Sequence, residues 1–373
     1  MAGKLHLKVV ESKKQKADFH KVPFLVYKND QEWIPHLKQD VERIFVPNKN
    51  LQFTKGNAIR WVLYKGAIPV GRVAAFVWND RSYGGLGFFE STENEKHAKM
   101  LLEVAEKWIL SQGKSRLQAP INFGERDKFW GLLVEGFQRP SFQENYNPPY
   151  YKSFFTNNGY EKVIEQNTSE MHIVDFDGEK FGQVAKKANQ IDGLEIRPFQ
   201  KSQLKKYVKD FYKIYNEAWK EHEHFVPLSE KRIASLFKSM KAILKEEILL
   251  FAYVSDVPVG FYLSVIDVNQ IFKKLKGNLN LFGKIKFLWF RRSTKIDRIR
   301  GIIFGVVPGF QGKGVAYAMI FRLYESLVKD PHIKSSELAW VGDFNPRMLK
   351  LFEKLGVKKT KTHFTFEKLL SKD

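Results

Sequence analysis

The stretch from Ile302 to about Val328 narrows the choice of fold more than any other part of the chain. An apolar run, Ile302-Ile303-Phe304-Gly305-Val306-Val307, ends at Pro308, and a glycine-spaced turn, Gly309-Phe310-Gln311-Gly312-Lys313-Gly314, follows it. Met319, Ile320, Leu323, Leu327 and Val328 then recur at the three-and-four spacing of an amphipathic helix. A strand feeding a helix through Gln-Gly-x-Gly is a device for holding a pyrophosphate. The glycines let the backbone come close, and the free N–H groups of the first helical turn face the negative charge. Two other phosphate loops are excluded. Gly314 is followed by Val315, so there is no Gly-x-x-x-x-Gly-Lys-Ser/Thr loop. The third glycine and the later acidic strand end of a dinucleotide fingerprint are missing too.

Gln311-Gly312-Lys313-Gly314-Val315-Ala316 resembles the acetyl-CoA-binding motif of the GNAT acyltransferases, Gln/Arg-x-x-Gly-x-Gly/Ala, entered through the Val306-Val307-Pro308 strand end. Asn345, a helix carrying Phe352, and then Gly356-Val357 resemble that family's second motif, in which Phe352 stands where many members carry Tyr. The resemblance implies an α/β (α+β) fold of two tandem GNAT-like acyltransferase domains, with mixed sheets flanked by helices. It also implies acetyl-CoA or another acyl-CoA as cofactor, held by Val306, Val307, Gln311, Gly312, Lys313, Gly314, Val315, Ala316, Asn345 and Phe352. A longer likeness spans most of the chain. Gly136-Phe137, Tyr146-Asn147-Pro148-Pro149-Tyr150-Tyr151 and Glu337-x-x-Trp340 resemble a bacterial family of putative N-acetyltransferases of unknown substrate.

At 373 residues there is room for two domains of ordinary size, and 43% hydrophobic with 14% aromatic content supplies real cores. The absence of cysteine rules out disulfides, cysteine-ligated metal and a thiol nucleophile, and leans toward a reducing compartment. Met1-Ala2-Gly3-Lys4-Leu5-His6 lacks the apolar core of a signal peptide. No apolar run approaches the roughly 18 residues that span a bilayer. The expectation is a soluble cytoplasmic protein. A net charge of +21 favours anionic partners, whether CoA phosphates, nucleic acid, anionic lipid or an acidic substrate, without choosing among them. A merely solvated lysine surface would give the same excess.

Along the chain, one order of elements occurs twice. Strands are expected at Leu5–Val9, Ala58–Tyr64, Ile68–Trp78 and Leu86–Glu90, then a helix over Asn94–Gln112, a helix opening near Asn145–Tyr151 and a last strand at Glu170–Phe176. This first domain, 1–176, keeps the topology but not the cofactor loop. Its strand-to-helix link, Glu90-Ser91-Thr92-Glu93-Asn94-Glu95, has no glycine and three acids that would repel a pyrophosphate. Residues 177–193 form a helical connector. The second domain, 194–373, starts with the strand Leu194–Phe199 and continues through helices at Gln203–Trp219 and Ser229–Leu244, paired strands, the cofactor strand and helix, and a closing strand at His363–Glu367.

An insertion at about 270–300 precedes the cofactor strand. Within 271–300, Lys273, Lys274, Lys276, Lys284, Lys286, Arg291, Arg292, Lys295, Arg298 and Arg300 face Asp297 alone, interleaved with ten apolar residues from Phe272 to Phe290. Three readings fit. It is a helical hairpin packing its aromatics on the core, a substrate cover with a basic rim, or a segment making peripheral membrane contact.

Direct transfer from a thioester to an amine needs a base for the amine proton and N–H groups to polarise the carbonyl. Glu337 and Asp343 are the candidate bases; each is equally a local structural carboxylate. Phe352 has no hydroxyl to protonate a departing thiolate. Tyr146, Tyr150 and Tyr151 are candidate lining for the acceptor cleft. No metal site is expected, since His222-Glu223-His224 is too closely spaced for one helical face and lacks a third ligand. The leading expectation is a CoA-dependent N-acyltransferase with an amine substrate. The alternative is a non-catalytic acyl-CoA-binding or anionic-surface-binding protein. Nucleic-acid partnership, as in aminoacyl transfer from charged tRNA, would use the basic charge but leave the Gln311–Ala316 loop without a role.

Overall fold

The computed structural model describes residues 3–371 apart from 189, 221–226 and 344, so His222-Glu223-His224 lies outside the described residues. The first half runs β1 (Leu5–Val9), α1 (Lys13–Val26), α2 (Lys38–Ile44), β2 (Gly56–Lys65), β3 (Ile68–Trp78), β4 (Gly84–Ser91), α3 (Glu95–Ser111), β5 (Arg116–Ala119), β6 (Leu132–Glu135), α4 (Tyr151–Thr156) and β7 (Glu161–His172). After α5 (Gly178–Ala188), the second half runs β8 (Leu194–Pro198), α6 (Leu204–Trp219), α7 (Glu230–Met240), β9 (Leu249–Val254) and β10 (Val257–Ile266). It continues with α8 (Asn269–Leu275), α9 (Leu281–Ser293), β11 (Arg298–Val306), α10 (Val315–Leu327), β12 (Ser335–Gly342), α11 (Pro346–Leu355) and β13 (Lys358–Leu369). Leaving out α8 and α9, and β6 of the first half, the second half retraces the first.

Local chemistry sets the boundaries. Ser12 and Gln15 form a capping box at the start of α1. Gly66, at φ +62°, makes the β2–β3 turn that a Cβ would strain. In α3, Ala98, Leu101, Leu102, Ala105 and Ile109 fall on one buried stripe against β3 and β4. The equivalent stripe of α10 is Val315, Met319, Leu323 and Leu327.

The strands lie in one mixed sheet in the order β1-β2-β3-β4-β5-β13-β7-β12-β11-β10-β9-β8, with β6 beside β13. The halves exchange their last strands. β7, which ends the first half, pairs with β12, while β13, which ends the second, inserts between β5 and β7. Two sequence expectations shift accordingly. The strand expected at Glu170–Phe176 is Glu161–His172, followed by a single turn at Ile173–Asp175. Its charged start, Glu161-Lys162, conceals it in the sequence, but that segment pairs with Phe366 and Glu367 of β13. The helix expected to open at Asn145 begins at Tyr151. The connector is also more than a linker, because Phe181 of α5 packs with Phe176, Tyr317 and Tyr324 against α10.

Candidate active site

The glycine turn sits where β11 hands over to α10. Gly312 and Gly314 have φ of +73° and +89°, the region where L side chains are strained. Gly314 is the N-cap of α10 and supplies no side-chain cap, so the first-turn N–H groups, including those of Val315 and Ala316, meet no capping side chain. A Cβ on Gly314 would lie 3.2 Å from that of Ala188 at the end of α5. Lys313 places its ammonium 5.5 Å from the Phe310 ring, and the Gln311 side chain donates to the Val306 carbonyl at 2.9 Å. In the first half the corresponding helix, α3, is closed. Asn94 accepts from the His97 N–H, and Thr92 Oγ1 lies 2.8 Å from His97 Nδ1. Glu90 is buried, bonded to Tyr27 and Tyr151, while Glu93 and Glu95 are exposed at the helix start.

A second contrast concerns the gap between the parallel strands. β11 and β12 pair from Arg298–Ser335 to Gly301–Leu338 and then diverge. In the first half β4 and β5 pair at Gly84–Leu117 and Gly85–Gln118, but there the gap is filled. The Ile121 N–H donates to the Leu86 carbonyl at 2.7 Å, and Gly87 has no room for a Cβ beside the Ile121 carbonyl. In the second half the gap stays open. Val307 N–H donates to Val259 O at 2.9 Å, so the antiparallel alternation turns the N–H groups of Val306 and Phe304 away from β10 and toward the gap.

The opening leads into an apolar cavity of about 310 Å³. Trp219 and Tyr262 line it beside β11, Leu323 and Leu327 belong to α10, Leu338 to β12, and Phe352 to α11. About 10–15 Å³ suffices for one water, so the space is far larger than an acetyl group requires. Gly305 is a glycine because the Trp219 ring packs onto β11 there. Tyr262 stacks on Phe304, with ring centroids 5.7 Å apart. Its hydroxyl lies beside Gly301, and burial holds it well above the usual phenol range, hence protonated. Asn345 caps α11 by accepting from Met348 N–H at 3.2 Å, and it also lines the cavity.

Trp340 forms a wall of this cavity and of a small polar recess of about 20 Å³ between the halves, lined also by Asp127, Glu144, Gln166, Arg300 and His363. The recess sets acceptors beside the guanidinium groups of Arg126 and Arg300. His363 Nε2 lies 2.9 Å from the Asn145 carbonyl, which can only accept, so Nε2 carries the proton and Nδ1 keeps a lone pair. Burial pushes the imidazole below its ordinary value, against the pull of Glu144, which keeps the ring neutral at pH 7. The buried Gln166 Oε1 meets no donor among the described residues. Burial would raise the Glu144 carboxyl, but Lys361 overcomes it and holds the group ionised.

The sequence candidates are distributed unevenly over this geometry. Val306, Phe352 and Asn345 line or border the open gap. Glu337 is fully buried, bonded to Ser141, Lys361 and Arg298, and lines neither the cavity nor the recess. Asp343 is exposed on the turn after β12. Tyr146, Tyr150 and Tyr151 belong to the first half. Tyr151 is buried against Phe89, Tyr146 donates to Asp30 at 2.8 Å, and Tyr150 donates to the Ser91 carbonyl at 3.3 Å. None of the three lines the apolar cavity or the recess, but Tyr146 lines a separate first-half cavity of about 40 Å³ with Trp33, Arg72 and Glu90. Trp219, Tyr262, Glu144 and His363 were not singled out as site residues in the sequence. The one available signal was the alternation Lys361, His363, Thr365 in the closing strand, which places polar groups along one face of a central strand.

No family model matches the chain. Two curated relatives align with nearly all of it. Protein YghO of Escherichia coli (strain K12) is 25% identical over 360 residues, 93% of this chain and 90% of that one. The bacterial ceramide synthase of Caulobacter vibrioides (strain NA1000 / CB15N) is 24% identical over 366 residues, 94% of each. Among solved structures, a tandem GNAT protein from the clavulanic acid biosynthesis pathway, without AcCoA, superposes with TM-score 0.58 at 10% identity, covering 99% of this chain and 100% of the other. A GCN5-related N-acetyltransferase from Sphaerobacter thermophilus gives 0.51 at 13% identity, with 98% and 95% covered. The chain therefore has the tandem GNAT fold, with two α/β units sharing one sheet.

Proposed function

We propose that this protein is an acyl-CoA-dependent N-acyltransferase whose acceptor is the amine of a lipid. The observation that carries the reading is the apolar cavity of about 310 Å³ opening from the β11–β12 gap beside the uncapped N-terminus of α10. The residues present fit acyl-CoA. Gly312–Ala316 would take the pyrophosphate, the N–H groups of Phe304 and Val306 the pantetheine amides, and the cavity an acyl chain longer than acetyl. Support for a lipid amide comes from the relative named a bacterial ceramide synthase, ceramide being an N-acylated long-chain amine.

Bound acyl-CoA supplies the thioester carbonyl that the amine attacks, with the C–S bond broken and an amide formed. The recess receives the amine. Its volume suits one ammonium-sized group, and Glu144 and Gln166 Oε1 orient it. His363 Nδ1 takes the amine proton, the role first sought at Glu337 and Asp343. Strand N–H groups polarise the carbonyl oxygen, and the Tyr262 hydroxyl, kept protonated by burial, returns a proton to the leaving sulfur in place of the hydroxyl that Phe352 lacks. The cysteine-free composition suits a cytoplasmic enzyme.

The test is calorimetric titration with acetyl-CoA and with a long-chain acyl-CoA, followed by mass spectrometry of products formed with long-chain and short-chain amines. Micromolar binding that favours the long chain, with amide formed on a long-chain amine, is the expected result. His363→Gln should lower turnover about 10²–10⁴-fold, the usual worth of a positioned base, with cofactor binding unchanged. A folded protein that binds no acyl-CoA would overturn the reading. Binding without any turnover would instead favour the non-catalytic acyl-CoA-binding alternative.

A further inference from the structure

The insertion at 270–300 is a helical hairpin, and its two faces differ sharply. α8 is seated: Ile271, Phe272 and Leu275 are buried, Phe272 packs on Phe142, and the Gly277 carbonyl accepts from the Lys38 N–H of the first half at 3.0 Å. α9 buries only Gly283 and Phe287, with Phe290 half-buried. The expectation of a hairpin packing its aromatics on the core therefore holds for one face of α9 and fails for the other.

On that other face Leu281, Phe282, Ile285, Leu288 and Trp289 are 72%, 73%, 61%, 54% and 64% exposed. At 3.6 residues per turn these five cover an arc of about 120°, centred opposite the buried stripe. Lys284 and Arg291 run along one border of the arc, Lys286 lies on the other, and Arg292 caps its C-terminal end; all four are exposed. From Asn269 to Ile296 there is no acidic residue, against eight basic ones: Lys273, Lys274, Lys276, Lys284, Lys286, Arg291, Arg292 and Lys295.

We propose that α9 is a membrane-docking helix that lies in the plane of an anionic phospholipid bilayer. A wide apolar arc with cationic borders is the pattern of a helix that sinks its hydrophobic side to the acyl boundary while lysine and arginine heads stay among the phosphates. A protein partner with an apolar groove would match the arc but leaves the uniform positive border without purpose; an anionic bilayer matches both. Among the described residues no helix is long and apolar enough to cross a membrane, so the contact is one of surface and not of spanning. The hairpin is inserted between β10 and β11, and β11 lines the cavity, so docking by α9 would tether the half that carries the proposed acyl site to the lipid surface. The docking itself does not depend on the acyl-transfer reading.

The experiment is co-sedimentation of the full chain with phosphatidylcholine vesicles, with and without about a third phosphatidylglycerol, at low and high salt. Wild-type protein is expected to sediment with the anionic vesicles, at least tenfold more weakly with neutral ones, and to be released by salt. A variant with Leu281, Phe282, Ile285 and Trp289 changed to Ser removes only exposed groups and should keep its circular dichroism and acyl-CoA affinity while losing at least tenfold in vesicle binding. The charge variant Lys284→Glu/Lys286→Glu/Arg291→Glu should lose the preference for anionic lipid. Absence of vesicle binding by the wild type, or equal binding by the Ser variant, overturns the proposal. Dimerisation abolished by the Ser variant, without vesicle binding, overturns it in favour of self-association. Because sedimentation reads no acyl transfer, these outcomes stand apart from those of the activity assay.

Discussion

Lys361 of β13 reaches over β7 to place its ammonium 2.8 Å from the Glu337 carboxylate on β12, and neither side chain is reached by water. Glu144 meets the same ammonium, and Arg298 meets the same carboxylate at 2.9 Å. Charges from β11, β12, β13 and the loop before α4 thus neutralise one another where the two halves join. Removing one member leaves its partners buried and unpaired, which costs about 3–5 kcal/mol. Lys361→Met strands Glu144 and leaves Glu337 with Arg298 as its cation, and it should shift the urea midpoint by about that equivalent. Glu337→Gln, which keeps the shape and removes one charge, should cost less. Equal and small shifts for the two variants would show that the network contributes little.

The same cluster sets an acid limit. Burial would raise the Glu337 carboxyl, but Lys361 and Arg298 hold it below its ordinary value of 4.5. A depressed carboxyl contributes stability that is present above the unfolded value and is lost as pH falls through the folded one. His363, pushed below its ordinary 6.5 by burial, adds a milder loss that starts nearer pH 6.5, because the unfolded chain takes up a proton that the folded chain refuses. Urea midpoints should be flat above pH 7, decline gently below 6.5 and fall steeply below 4.5. In His363→Gln the gentle limb should shrink and the steep one remain.

Much of this site was readable before any coordinates, for a physical reason. The Gly312–Gly314 turn and the α10 stripe are local patterns, fixed by backbone geometry within about fifteen residues. The closed start of α3 was partly visible as well, since Glu90-Ser91-Thr92-Glu93 lacks glycine, whereas the filling of the β4–β5 gap by Ile121 was not. What was not readable is long-range. The pairing of Glu337 with Lys361 and Arg298 is not visible in its sequence neighbours. The hydroxyl partners of Tyr146 and Tyr151 were hidden too, because nothing nearby in sequence shows Asp30 and Glu90. His363 was hidden for the same reason, as its recess forms only when β13 crosses into the first half.

That crossing makes its own prediction. With β13 absent, β5 and β7 each lose a partner and expose backbone groups in mid-sheet, where an unpaired edge invites aggregation. Residues 1–176 and 177–373, the latter keeping α5 against α10, should each be insoluble or expanded when expressed separately, while co-expression should restore a soluble pair. Compact, dispersed two-dimensional NMR spectra from either fragment alone would contradict this.

The proposed phosphate cradle is tested by Gly314→Glu. The new carboxylate would stand at the uncapped α10 N-terminus beside Ala188, in a backbone conformation that costs a non-glycine residue about 1–2 kcal/mol. Acyl-CoA affinity should fall at least a hundredfold. Gly113→Glu is the control, since Gly113 has φ +77° with nothing within 4 Å of an added Cβ. It carries the strain and the charge without the cradle, so its affinity should stay within a fewfold of wild type. Equal losses would assign the effect to strain alone.

Chain length is tested from inside the cavity. Ala339 lines it and is half-buried, so an indole at that position would project into open space and not into packed core. Ala339→Trp should therefore leave the fold intact and exclude long acyl chains while still admitting acetyl. Each methylene that a pocket accepts or rejects is worth about 1–3 kcal/mol, or 10–200-fold in kcat/KM. The variant should invert the preference between long-chain and acetyl thioesters by at least tenfold. A preference unchanged in sign and size would mean that the acyl chain lies elsewhere, and that this cavity holds only the pantetheine arm.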